Sequence, residues 1–77
     1  SDEDILEALI QDDDISYIKS LMHHVLNKKH EKVMTLFFFG DLSQEEIARI
    51  VKLSPKTIRN IIALSINKLK AKLEEKS

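Results

Sequence analysis

The stretch Ser43-Gln44-Glu45-Glu46-Ile47-Ala48-Arg49-Ile50-Val51-Lys52-Leu53-Ser54-Pro55-Lys56-Thr57-Ile58-Arg59-Asn60 contains two helix starts separated by one turn. Ser43 with Glu46 has the spacing of a capping box, in which the serine hydroxyl accepts from the glutamate N–H and the carboxylate reaches back to the serine N–H. Behind it, Ile47, Ala48, Ile50 and Val51 make a short apolar helix that stops near Lys52. Ser54 is a second N-cap. Pro55 behind it stands at a first helical position, where its missing N–H costs nothing and its fixed φ suits the helix. The pattern predicts a short capped helix, a turn of about three residues around Leu53, and a longer helix opening on polar and basic side chains.

The long second helix carries Ile58, Ile61, Ile62, Ile66, Leu69 and Leu73 at helical spacing within about a third of its circumference. Lys56, Asn60, Ala63 and Asn67 lie opposite, flanked by Arg59 and Lys70 on one side and Thr57 and Leu64 on the other. Three further helices are expected upstream. Asp2 to Gln11 places Ile5, Leu6, Leu9 and Ile10 on one face; Ile15 to Leu26 carries Ile18, Leu21, Met22, Val25 and Leu26; Lys28 to Phe39 is capped by Asn27 and carries Val33, Met34, Leu36 and Phe37. Gly40 is expected to end that last helix in a left-handed conformation. The expected class is all-α: a small bundle of about five helices containing a helix-turn-helix, without a sheet. Residues 1–27 are expected to form an acidic helical segment packed as one domain with a helix-turn-helix unit at 28–77.

Composition narrows the function. The 77 residues carry 12 Lys and Arg against 13 Asp and Glu, one Gly, one Pro and no Cys, for a formal net charge of -1. The absence of cysteine removes disulfides and thiolate metal sites, and a reducing cytoplasm fits. No apolar stretch approaches the roughly 20 residues of a membrane-spanning helix. The charge is bipolar. From Ser1 to Ser20 seven acids meet one base, giving -6; the remainder has eleven bases and six acids, giving +5. Between Arg49 and Lys72 stand Arg49, Lys52, Lys56, Arg59, Lys68, Lys70 and Lys72 with no acid, a local footprint suited to a polyanion.

In a helix-turn-helix the second helix enters the major groove and meets base edges with its N-terminal residues, while the first crosses the phosphate backbone. Arg59 suits guanine, Asn60 adenine, Lys56 guanine or a phosphate, and Thr57 a phosphate or a thymine methyl. The helix start at Ser54 and Pro55 suits a phosphate. Lys52, Gln44 and Ala63 complete the candidate DNA face. The bland alternative is a helical hairpin with a soluble outer face.

The stretch His30-Glu31-Lys32-Val33 through Lys72-Leu73-Glu74-Glu75 resembles the fourth conserved region of bacterial sigma factors. That family places K-x-R-E-V-x-x-L-R-Y-F-E-G-L-S before E-E-I-A, a turn and a helix ending in K-L-R. The likeness runs without gaps from about Lys29 to Glu75, with Phe37-Phe38-Phe39-Gly40-Asp41-Leu42-Ser43 at the aromatic helix end and cap. It implies recognition of a -35 promoter element through Lys56, Thr57, Arg59 and Asn60, and docking on the beta flap of RNA polymerase through an apolar surface. Leu53-Ser54-Pro55-Lys56-Thr57-Ile58-Arg59-Asn60 is also similar to the output domains of LuxR-type regulators, which usually place a glycine where Lys70 stands.

A second class of function is a protein-interaction module, with Phe37, Phe38, Phe39, Ile62 and Leu64 meeting polymerase, an anti-sigma protein or a second copy. Ile62 and Leu64 are apolar where sigma-like domains are often polar or basic. No enzyme, cofactor or small-molecule substrate is implied: there is no Gly-rich phosphate loop and no recognisable nucleophile setting. His23 and His24 point about 100° apart on a helix, and no histidine pair has the i, i+4 spacing of a zinc site.

Overall fold

The structure, a computed structural model, describes residues 14–75. Among them are four helices: α1 (Asp14–Val25), α2 (Lys28–Phe38), α3 (Gln44–Val51) and α4 (Pro55–Glu75). The helix expected at Asp2 to Gln11 lies outside the described residues. The other four expected helices form, starting within two residues of the predicted positions, and no strand occurs among the described residues.

One core joins the four helices. Ile18, Leu21, Met22 and Leu26 come from α1 and its end, Val33 and Met34 from α2, Ile47 and Ala48 from α3, and Ile58, Ile61, Ile62, Ile66 and Leu69 from α4. α4 packs against each of the other three helices, and its buried positions recur every three or four residues, as its apolar stripe requires. Full burial of an Ile or Leu side chain contributes about 1.5–3 kcal/mol, so this one stripe carries much of the stability of a small domain. Ser65, in the same stripe, is fully buried, and its hydroxyl has no hydrogen-bond partner.

Each chain reversal has its own chemistry. Asn27 caps α2 by accepting from the His30 N–H at 2.8 Å. The end of α2 differs from the sequence expectation. Gly40 does not adopt a positive φ; Asp41 does, at 54°. Aspartate tolerates the left-handed region better than most residues. Glycine is needed at 40 for space instead, because an ideal Cβ there would stand 2.7 Å from the Leu36 carbonyl oxygen. The Gly40 N–H donates to that same carbonyl and to that of Thr35.

Phe37, Phe38 and Phe39 are half-buried and pack against the core. The first two rings meet edge to face at 5.1 Å, and the Lys19 ammonium sits 5.0 Å from the Phe39 centroid. The run is thus largely used by the fold.

His30 carries a pH signature. Its Nδ1 is buried without a partner. Burial lowers its pKa below 6.5, helped by the positive charges of Lys68 on α4 and Lys29 beside it. A histidine held neutral in the fold takes its proton first in the unfolded chain. Stability is therefore undiminished above pH 6.5 and falls as the pH drops from there through the lower folded-state pKa. Urea unfolding between pH 7.5 and 5.5 is expected to show a midpoint that declines with acidification in the wild type and declines less in His30→Gln. Glu46, whose carboxylate is held below its ordinary range mainly by the Ser43 N–H and hydroxyl, loses its contribution only below pH 4.5, a separate window. Equal slopes for the two proteins between pH 7.5 and 5.5 would contradict the assignment.

Candidate nucleic-acid interface

α3, the following turn and α4 form the helix-turn-helix. The predicted capping box is present at its start, with the Glu46 N–H donating to Ser43 Oγ at 3.1 Å and the Ser43 N–H donating to Glu46 Oε1 at 3.0 Å. At the end of α3, Lys52 adopts the left-handed conformation, φ 60° and ψ 45°, and the Leu53 N–H donates to the Ala48 carbonyl at 3.0 Å. A left-handed residue followed by an N–H bonded five residues back is the Schellman closure. Its apolar contact is supplied by Leu53, which packs on the core that holds Ala48. The chain then turns into α4, whose Ser54 cap accepts from the Thr57 N–H at 3.1 Å.

The reversal fixes which side chains α4 shows. Ile58, Ile61 and Ile62 are buried, which leaves Lys56, Arg59, Asn60 and Ala63 exposed on the opposite side. Lys52 and Ser54 are exposed at the turn, and Gln44, at the start of α3, is half-buried. No acidic side chain pairs with Lys52, Lys56, Arg59 or Lys68 among the described residues. The described ion pairs lie elsewhere: His23 Nδ1 with Glu31 Oε2 at 3.2 Å, and Lys72 with Glu75 at 3.3 Å. Unpaired, solvated cations over the start of a helix suit a polyanion.

Thr57 departs from its expected role. Its hydroxyl lies 2.9 Å from Ser54 Oγ and the side chain is half-buried, so it is engaged in the helix cap. Ile62, expected on a docking surface, is corrected outright: at 4% exposure it is a core residue, placed there by the stripe it shares with Ile58 and Ile66. Leu64 is 53% exposed and Ile50, which the sequence placed with the apolar residues of α3, is 49% exposed. For Ile50 the signal was its place in the wheel, since Ile47, Ala48 and Val51 already fill the inner face of an eight-residue helix.

No group of three or more His, Cys, Asp or Glu side chains able to hold a metal ion occurs among the described residues. No helix among them is long and apolar enough to cross a membrane. The family model described as Sigma-70, region 4 matches residues 16–71, more than half of the chain. The chain belongs to the sigma-70 region 4 family. The family assignment makes this a helix-turn-helix DNA-binding domain of transcription, and of the two sequence resemblances it selects the sigma-like one. No curated protein and no solved structure gives a significant match. The matched span begins within α1, so this region 4 domain counts α1 as well as the helix-turn-helix.

Lys52 is the least comfortable residue of the turn. An L-residue in the left-handed region loses about 1–2 kcal/mol that glycine does not, and lysine at this point keeps a cation beside the cap of α4. Lys52→Gly is therefore expected to raise stability by about 1 kcal/mol, read as a higher urea midpoint. An unchanged or lower midpoint would show that the left-handed turn carries no strain.

Proposed function

We propose that this domain recognises a -35 promoter element in duplex DNA while docked to RNA polymerase, as a sigma-like factor acting in the bacterial cytoplasm. The observation that carries the reading is the exposed, acid-free start of α4, where Lys56, Arg59 and Asn60 stand together opposite the buried isoleucines. A helix of this kind fits the major groove. Arg59 presents five donors in a fork that matches the O6 and N7 of guanine, and Asn60 pairs its amide with the N6 and N7 of adenine. Lys52, Lys56 and the capped helix start at Ser54 supply phosphate contacts that set register without reading sequence. Gln44, at the first turn of α3, is positioned for the backbone that the first helix crosses. Ala63, one turn beyond Arg59, gives the groove a small apolar contact.

Leu64 favours a second reading, in which the outer side of α4 meets a protein: polymerase, an anti-sigma protein or a second copy. More than half of this leucine is exposed. The two readings are compatible if they use adjacent arcs of α4. The half-buried Phe37, Phe38 and Phe39 offer the polymerase less apolar surface than three free rings would, because the core takes part of each.

Binding to a selected duplex is expected to weaken steeply with salt, each neutralised phosphate contributing about -0.9 to the slope of log K against log salt. Arg59→Ala is expected to cost about 1–3 kcal/mol and to relax discrimination at one base pair. Lys56→Ala is expected to flatten the salt slope. DNA binding that is absent, or insensitive to salt, would contradict the proposal.

A further inference from the structure

The outward side of α4 carries one large apolar side chain that the polar chemistry of Lys56, Arg59 and Asn60 leaves unused. Leu64 is more than half exposed, while Ile61, Ile62, Ser65 and Ile66 around it are buried. Their burial fixes its direction. At about 100° per residue, Leu64 points about 40° from Asn60 one turn before it, and about 20° from the line of Thr57 two turns before it. The sequence offers Thr57 for a thymine methyl, but that side chain is half-buried and its hydroxyl lies 2.9 Å from Ser54 Oγ, within the cap. Leu64 stands near the same line and is open to solvent. One turn beyond it Lys68 is exposed, with no acidic partner among the described residues. Leu64 therefore lies between an amide suited to a base and a cation suited to a phosphate, in continuity with the candidate DNA face.

We propose that Leu64 is a specificity-determining residue that packs on the 5-methyl group of a thymine in the major groove. The inference rests on the DNA-binding reading given above and adds to it the chemistry of one further base. Among the groups that the base edges show in the major groove, the thymine methyl is the apolar one; the others are hydrogen-bond donors and acceptors. A leucine held against those would strip them of water and bond none of them, which costs free energy. Cytosine is disfavoured in particular, because it lacks the methyl and presents its N4 donor instead. Ala63, beside Leu64, ends at Cβ and reaches less far. Leu64 lies about 6 Å beyond Asn60 along the helix axis, and successive bases of a strand are about 3.4 Å apart. The thymine it covers is thus within about two base pairs of the adenine that Asn60 reads.

The test removes that methyl alone. A duplex is selected from a random pool by the intact chain, and each thymine is then replaced singly by deoxyuridine, which keeps the O4 acceptor and the base pairing but lacks the methyl. At one thymine, within about two base pairs of the position where Asn60→Ala relaxes discrimination, the replacement is expected to weaken wild-type binding about fourfold, the worth of burying one methyl-sized group. Leu64→Ala is expected to weaken binding of the thymine duplex at least as much, and to bind the thymine and deoxyuridine duplexes alike, since the two changes remove one shared contact. Its urea midpoint is expected to match that of the wild type, because the side chain is exposed. In the wild-type complex a nuclear Overhauser effect is expected between the Leu64 methyls and that thymine methyl. A Leu64→Ala chain that keeps the wild-type affinity, or the wild-type loss at every deoxyuridine, overturns the proposal and leaves the leucine to a protein partner. Duplex binding without any methyl effect that depends on Leu64 overturns this proposal alone. If the wild type binds no duplex, the DNA-binding reading falls and the proposal falls with it.

Discussion

The packing of one helix stripe governs the molecule. Ile58, Ile61, Ile62, Ile66 and Leu69 of α4 are buried against α1, α2 and α3 together, so the rotation of α4 about its own axis is set by hydrophobic burial. Once that rotation is set, Lys56, Arg59, Asn60 and Ala63 must face outward, since a helix places its residues at 100° intervals. The surface chemistry of the domain is thus a geometric consequence of its core. The turn between α3 and α4 adds the second constraint: the Schellman closure at Lys52 and Leu53, with the Ser54 cap following at once, leaves little freedom in the angle between the two helices.

Charge is sorted with similar economy. Acids occupy the first turn of α3, where they favour the helix dipole and complete the capping box, and they are absent from Arg49 to Lys72. The mild negative balance of the whole chain therefore says little about the face that α4 presents. What matters is the local field within about a Debye length, 8–10 Å in ordinary buffers. Over the start of α4 that field comes from cations without acidic partners among the described residues. Leu64, 53% exposed, is the discordant apolar member of the outer side of α4.

Local signals proved the most legible. Ser43 with Glu46, Asn27, and Ser54 with Pro55 each announce a helix start through hydrogen bonds that close within three residues, and the cap bonds form as expected. The apolar stripe of α4 was equally readable, because six residues at one period leave no other register. What escaped reading depended on the third dimension. Gly40 looked like a conformational glycine, yet its role is set by the approach of the Leu36 carbonyl, which no spacing reveals. Ile62 belonged by sequence to both the core and a surface, and only the packing of α4 decides for the core. The bond between the Thr57 and Ser54 hydroxyls and the burial of His30 Nδ1 beside Lys68 likewise depend on side-chain positions that the sequence leaves open.

The central claim is that the α3 to α4 turn and the first half of α4 form the surface that meets DNA. It is tested most directly by titrating the isotope-labelled chain with a selected duplex at low salt and following the backbone amide shifts. The account predicts the largest changes at Gln44, from Lys52 to Asn60 and at Ala63, with Phe37 to Phe39 unmoved. Changes concentrated at Phe37 to Phe39, or none at all, would contradict it.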